Sequence, residues 1–384
     1  MLYNRARSIA GGALFASFIA VANAATHELL VGTFGTKSLY TVEFDDEALT
    51  LNLVANTSVP AAGSWLALSH DKANLYATAY STSGNSSSPA FVSYSLANAT
   101  SITHDATIPS GGNCTATAIF VVADPNPPYS VYGAFFGSNA GCGTVLSVDE
   151  TGKLDAAIQN YTYFSSSAVH GTAFSPDSKF LYSADDSGNT LWTHSIDQAT
   201  GEVTLVANLT APSSSAHPRH ATVHPNGQYV YVVLEGSSQI AQYSIDDATA
   251  GIPSFTNITY PLLESGEDAS NYWADEVALS FSNNYLWATN RGRSTNATGY
   301  ISVFSLDADG AILSQNFLVP TSSSGGAANS VAPSPFTDRF AALTDSSVGF
   351  LEIWELSDDG GSAQVVAHLD LNDGGCCANA VWYS

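Results

Sequence analysis

The chain has 384 residues, 45% of them hydrophobic, enough to fill a large core. Its 34 acidic residues against 10 Lys and Arg give a formal net charge of −24. That balance argues against nucleic acid and anionic membrane as partners, because both repel a polyanion.

At the N-terminus Arg5 and Arg7 precede an apolar run from Ile9 to Val21, which ends in Ala22-Asn23-Ala24. Basic, apolar and small segments in that order make a cleaved secretory leader. Residues 1–24 are therefore expected to be removed, leaving 25–384 as one mature, extracellular domain. No later apolar stretch is long enough to span a membrane. Asn-x-Ser/Thr sequons occur at Asn56, Asn85, Asn98, Asn113, Asn160, Asn208, Asn257 and Asn296, a density that suits a glycosylated surface.

From His27 onward the chain restarts one short-stranded unit at intervals of roughly fifty residues. The clearest copies are VHGTAFSPDSKFLYSADDSGNTLWTHSI, from Val169, and HPRHATVHPNGQYVYVVLEGSSQIAQYSI, from His217. Each reads as an apolar strand, a Pro- or Asn-containing turn, a Tyr-rich strand, a polar loop and an alternating strand. A fourth strand follows, such as GEVTLVANLT. Units fall at 27–58, 64–110, 114–163, 168–212, 217–262, 273–320 and 327–371. Four-stranded repeats of this length indicate an all-β, seven-bladed propeller. The first unit is one strand short, and the tail from Cys376 to Tyr383 resembles an opening strand. It is expected to enter blade one and close the ring, which removes exposed sheet edges.

Four cysteines in a secreted chain allow two disulfides. Cys114 and Cys142 are expected to pair within blade three, with no cross-pairing to Cys376 or Cys377. That adjacent pair is left to form a vicinal bond or to reach elsewhere, and it lacks the spacing of a zinc site.

Blade geometry sorts the polar residues. In an antiparallel blade, the start of strand one and the loop after strand two lie on the same face. His170, His217, Arg219, Asp275 and Asn329 stand at starts of first strands. Glu235 and Arg291 stand just after the second strands YVYVVL and NYLWAT. These residues are expected to converge at one mouth of the channel, where loops meet on a rigid frame. Arg219 and Arg291 are two of only four arginines left after leader removal, and a guanidinium in so acidic a chain suits an anion or a polarised carbonyl. It suits an inter-blade salt bridge equally well. His170 is a candidate proton carrier or a structural ligand between blades. Glu235 follows Val232-Val233-Leu234 and is expected to be partly desolvated. No Gly-x-Ser-x-Gly elbow, Cys-His nucleophile, phosphate loop, dinucleotide fingerprint or metal motif is present, so neither cofactor nor metal is expected.

At these residues the chain resembles the fungal 3-carboxy-cis,cis-muconate cyclases, within a seven-bladed lactonase group that also includes 6-phosphogluconolactonases. The resemblance rests on VHGTAFSPDSKFLYSADDSGNTLWTH, HPRHATVHPNGQYVYVVLEG and the ending ANAVWY, and runs from about Glu28 to Tyr383. It implies a metal-independent site at the channel mouth that takes a small carboxylate or lactone. His170 matches the His of His-Gly, Arg219 the Arg of His-Pro-Arg, and Glu235 the Glu after the Tyr-rich strand. Arg291, in Ala-Thr-Asn-Arg, matches a further site arginine. Cytosolic members carry an Arg before the Ala-Ile-Phe strand and a His after Ser-Gly-Gly, where this chain has Thr117 and Ala327. Three activities follow. One is lactonisation of an unsaturated acid, with His170 or Glu235 delivering the proton and Arg219 and Arg291 holding carboxylates. The second is hydrolysis of an extracellular sugar lactone. The third is a non-catalytic wall- or carbohydrate-binding propeller.

Overall fold

The computed structural model describes residues 25–80, 89–137, 140–246, 250–294, 297–324, 329–346, 348–371 and 373–384. Residues 1–24, Asn85, Asn296 and Ala327 lie outside these. The described residues form seven four-stranded antiparallel sheets, one per blade, and a single 3-10 turn at Ala269–Asn271. The inner strands are Cys376–Trp382, Leu66–Leu68, Thr117–Ala123, Val169–Phe174, Pro218–Val223, Tyr272–Leu279 and Val331–Pro333, for blades one to seven.

The tail closes the ring. Cys376–Trp382 pairs antiparallel with Thr26–Thr33, with Leu29 opposite Trp382. It takes the innermost place of blade one, with two strands between it and Thr50–Ser58. Disulfides join Cys114 to Cys142, with Cα atoms 5.7 Å apart, and Cys376 to Cys377, as two separate sets.

The second and third strands of each blade bury most of both faces against neighbouring blades, while outermost strands such as Thr50–Ser58 stay largely exposed, so the apolar core divides into one cluster per blade boundary. Leu30, Leu75, Val92 and Tyr94 meet between blades one and two; Trp287, Ile301, Leu343 and Trp354 meet between six and seven. A full Leu or Trp burial of this kind is worth roughly 1.5–3 kcal/mol, so the array gains its stability boundary by boundary.

The Tyr of the second strand has a definite task. Tyr76, Tyr132 and Tyr182 donate their hydroxyls to the carbonyls of Gly152, Gly201 and Gly251, at 2.7, 2.7 and 2.8 Å, and Tyr231 donates to Gly310. Each acceptor sits in the outer hairpin of the following blade, where the chain turns with φ near +80°, as at Gly201 (φ 79°), a conformation that favours glycine. Tyrosine thus latches blade two to three, three to four, four to five and five to six.

Candidate active site

The channel-lining strands are irregular. In blade five the pairing steps from Pro218–Leu234 to Ala221–Val232, so Arg219 and His220 together face one residue of the second strand. In blade six the step from Ala274–Asn290 to Val277–Ala288 does the same for Asp275 and Glu276. In blade four His170 is the extra residue between Val169 and Gly171. A bulge breaks the strict alternation of a strand and re-aims side chains. Here two consecutive residues reach the same site. The threonine opposite the bulge in blade six secures it: Thr289 Oγ1 accepts from Glu276 N at 3.3 Å and donates to Asn329 O of blade seven at 2.6 Å.

Arg219, Glu235, Asp275 and Arg291 make a buried ion cluster across the boundary of blades five and six, each at most 9% exposed. Arg219 donates through Nη1 to Glu235 Oε2 at 2.6 Å, and its Nη2 lies 2.9 Å from Asp275 Oδ1. Arg291 donates to the same Asp275 oxygen at 2.9 Å, and its Nη2 stands 3.6 Å from Glu235 Oε2. The inter-blade salt bridge and the channel-mouth position are therefore both realised. Burial opposes ionisation of Asp275, but the charges of Arg291 and Arg219 outweigh it and hold the carboxyl below its ordinary value. Arg219 Nε is buried without a hydrogen-bond partner among the described residues.

Two expectations change in detail. As a residue of the channel mouth Asp275 is expected to bind substrate, but both oxygens are engaged, Oδ1 by the two guanidiniums and Oδ2 by the backbone N–H of Asn329. It is the counter-ion that holds the arginines side by side. Arg291 is expected just after its strand, but Tyr285–Gly292 runs through it, which fixes its backbone. Asn329 is 1% exposed, and its Oδ1 has no hydrogen-bond partner among the described residues. His217 sits beside the cluster and not within it: its Nδ1 lies 3.0 Å from Asp186 O and 3.7 Å from Asp186 Oδ1. Burial and the nearby charge of Glu235 push Asp186 up to about 6.

His170 lies beside the ion cluster, 5% exposed. Burial first, then the charges of Arg219, His220 and Arg291, hold its pKa well below the usual imidazole value and favour the neutral ring. Gly171 explains the His-Gly pair: a Cβ there would come within 2.4 Å of His220 Cδ2.

Sequence reasoning missed His220, Glu276, Ser330, Trp65 and Phe120. His220 Nε2 is 3.0 Å from His170 Nδ1, and its Nδ1 is 3.1 Å from Glu276 Oε2. Trp65 of blade two and Phe120 of blade three reach His220 of blade five, with ring centroids 4.7 and 5.4 Å away. These rings cross the channel and floor the site. Trp273 lies under Arg291 at 5.3 Å, a cation–π contact. Thr117 opens the inner strand of blade three at this same mouth, with no charge to offer. Among the described residues no three His, Cys, Asp or Glu side chains are grouped to hold a metal ion. A second concavity, at the opposite mouth between blades two and three, holds Asp71, Asp124 and Asp149. Those carboxylates cap turns, as where Asp149 Oδ1 accepts from Thr151 N at 2.8 Å.

The chain matches the family model for seven-bladed β-propeller lactonases over residues 28–326. It is 38% identical to carboxy-cis,cis-muconate cyclase of Neurospora crassa, over 93% of this chain and 99% of that one. It is 28% identical to muconate cycloisomerase 1 of Cutaneotrichosporon cutaneum, covering 90% and 95% of the two chains. Among solved structures, the periplasmic gluconolactonase of Pseudomonas aeruginosa superposes with a TM-score of 0.79 at 18% identity, over 93% of this chain and 99% of that one, a likeness of fold. The blade count, the closing strand and these matches agree: the chain belongs to the seven-bladed β-propeller lactonases, enzymes that form or open lactone rings.

Proposed function

We propose that this chain is a secreted lactonising enzyme, which adds a substrate carboxylate to a conjugated double bond within the same molecule. The observation that carries the reading is the pair of buried guanidiniums, Arg219 and Arg291, held side by side by Asp275 next to a neutral His170. A carboxylate oxygen attacks the far carbon of the double bond, forming the C–O bond. The π electrons move onto the conjugated carboxylate as an enolate, whose charge the guanidiniums offset. His170 Nε2 delivers a proton to the α-carbon, the enolate collapses, and the enzyme regains the proton from water. Glu235 anchors Arg219. A bound polyanion raises the pKa of His170, opposing the two arginines, so the proton is held when it is needed. The Neurospora crassa relative, named a carboxy-cis,cis-muconate cyclase, supports this direction.

Charge balance favours a second reading, hydrolysis of a neutral sugar lactone. Glu235, Asp275 and Glu276 outnumber the two guanidiniums, and Thr117 adds no cation, so a trianion is harder to hold here. In that direction His170 Nε2 takes a proton from the attacking water, Arg219 steadies the oxyanion, and the acyl–oxygen bond breaks with the proton returned to the leaving alkoxide.

Secretion is part of the proposal, from the leader at residues 1–24. The six described sequon asparagines are all exposed. Asn56, Asn160 and Asn208 moreover occupy one equivalent place in blades one, three and four. Each lies on the outermost strand, two residues beyond its bulge.

Purified protein assayed on 3-carboxy-cis,cis-muconate, by loss of diene absorbance, and on an aldonolactone, by acid release, tests the reading. Consumption of the muconate with lactone formed supports the first direction. Activity on the aldonolactone alone replaces it by the second, and inertness towards both leaves the binding module.

A further inference from the structure

Behind His170 lies a chain of polar groups that the proposed proton transfer from His170 Nε2 does not itself use. His220 and Glu276 are 1% and 8% exposed; Trp65 and Phe120 pack against His220, and Phe136 packs edge-on to His170 at 4.9 Å. Glu276 Oε1 accepts from Val277 N at 3.1 Å. Its Oε2 lies 3.1 Å from His220 Nδ1 and 3.4 Å from the hydroxyl of Ser330. The His220 contact has the distance of an ion pair, although its N–H is not well aligned for a hydrogen bond.

Proton counting makes this arrangement a switch. A carboxylate only accepts, so His220 keeps a proton on Nδ1. The 3.0 Å contact between His220 Nε2 and His170 Nδ1 holds one proton more. When His220 is neutral its Nε2 is a lone pair, so His170 must carry the shared proton on Nδ1 and present a lone pair at Nε2. When His220 is an imidazolium it donates to His170 Nδ1, and neutral His170 must carry N–H at Nε2. One proton added at the hidden histidine thus converts the outward nitrogen of His170 from base to acid.

We infer that His220 and Glu276 form a proton relay that sets the tautomer of His170, and with it the direction of proton transfer at the substrate. The inference rests on His170 being the proton carrier of the proposed reaction. In lactonisation the Nε2 proton leaves to the α-carbon while the His220 Nε2 proton moves to His170 Nδ1. The pair thereby loses one proton, which returns from solvent through His170 Nε2 after product leaves. In hydrolysis the same transfers run in reverse for the proton taken from water. His220 and Glu276 act through His170 and are positioning residues. The charged groups around the pair are Arg219 and Arg291, which disfavour the added proton, and Glu276, Asp275, Glu235 and the more distant Asp186, which favour it. Gly171 and the bulge at Arg219-His220 give the second imidazole its room.

The test reads the imidazoles directly, without substrate, by nitrogen-15 NMR of histidine-labelled protein. In the unmodified protein His170 should carry its proton on Nδ1 when His220 is neutral, and should change to Nε2 as His220 gains its second proton. A His170 proton on Nε2 throughout overturns the relay. In Glu276→Gln the joint titration should move down by roughly one to three pH units, the usual effect of losing a close opposite charge. The alkaline limb of kcat, where the pair loses the proton that lactonisation consumes, should move with it while KM stays put, and Glu276→Asp should restore both. If Glu276→Gln folds but leaves tautomer, titration and kcat profile unchanged, the relay is refuted and the two residues are only packing. Full activity in His170→Gln instead removes the proposed reaction's proton carrier, whatever the tautomers show.

Discussion

Arg219 reaches from blade five into blade six to set its Nη2 2.9 Å from Asp275 Oδ1, the oxygen that Arg291 also holds. One buried carboxylate oxygen therefore carries two guanidiniums. Replacing Asp275 by Asn leaves both cations buried with only Glu235 between them. Breaking a buried pair in this way costs about 3–5 kcal/mol. Urea unfolding should show that loss for Asp275→Asn, and a change under 1 kcal/mol would mean that water shares the cluster. The folded pKa of Asp275 is lowered, so its contribution is complete above the ordinary carboxylate value of about 4 and is lost as pH falls through the folded value.

The Tyr–Gly latches predict a small, repeated effect. Tyr182→Phe removes the 2.8 Å bond to Gly251 and leaves a carbonyl to find water, costing about 0.5–1.5 kcal/mol. Tyr132→Phe should cost a similar amount. The two losses should add, since the bonds lie at different blade boundaries. A double variant no weaker than either single one in thermal unfolding would show that the hydroxyls are not latches.

His194 is expected to limit acid stability. It is buried among Tyr161, Tyr163 and Trp192, and among the described residues neither ring nitrogen has a hydrogen-bond partner. Burial lowers its pKa from 6.5 to about 4. The unfolded chain takes up a proton near pH 6.5 that the folded chain refuses until about pH 4. Stability therefore falls as pH drops through that interval, by on the order of 3 kcal/mol. His194→Phe should flatten this loss. An equal drop in melting temperature from pH 7 to pH 4 in both proteins would contradict it.

Glycans should follow the blade register. If the leader directs secretion, peptide mapping after enzymatic deglycosylation of protein made in a eukaryotic host should find Asn56, Asn160 and Asn208 occupied. Sugars there would stand on the outermost strands, whose unpaired edges otherwise invite pairing with other chains. The triple Asn→Gln variant should keep its activity and aggregate sooner on heating. Bare asparagines at all three positions would remove this role.

The fold was legible because repetition made it so: the VHGTAFSPDSKFLYSAD and HPRHATVHPNGQYVYVVLE segments mark inner and second strands, and the Cys376–Trp382 tail announces the missing one. The polar residues of the site were legible only where a motif carried them. His170, Arg219, Glu235 and Arg291 do come together. His220 and Glu276 did not stand out, because reading a strand by alternation assigns neighbours to opposite faces. The bulges at Arg219-His220 and Asp275-Glu276 turn both neighbours towards one site. Trp65 was hidden for another reason: its contact with His220 spans the ring, and no local pattern encodes which side chain crosses a channel.

Turnover of His170→Ala and Glu235→Gln, measured with thermal stability on the same preparations, tests the site most directly. His170→Ala should lose roughly 10²–10⁴-fold in turnover, the usual worth of a general acid or base, with melting close to that of the unmodified protein. Glu235→Gln should lose turnover as well, because Arg219 is no longer anchored on its blade-five side. Normal specific activity in both variants, folded or partly unfolded, would mean that lactone chemistry takes place elsewhere on the propeller.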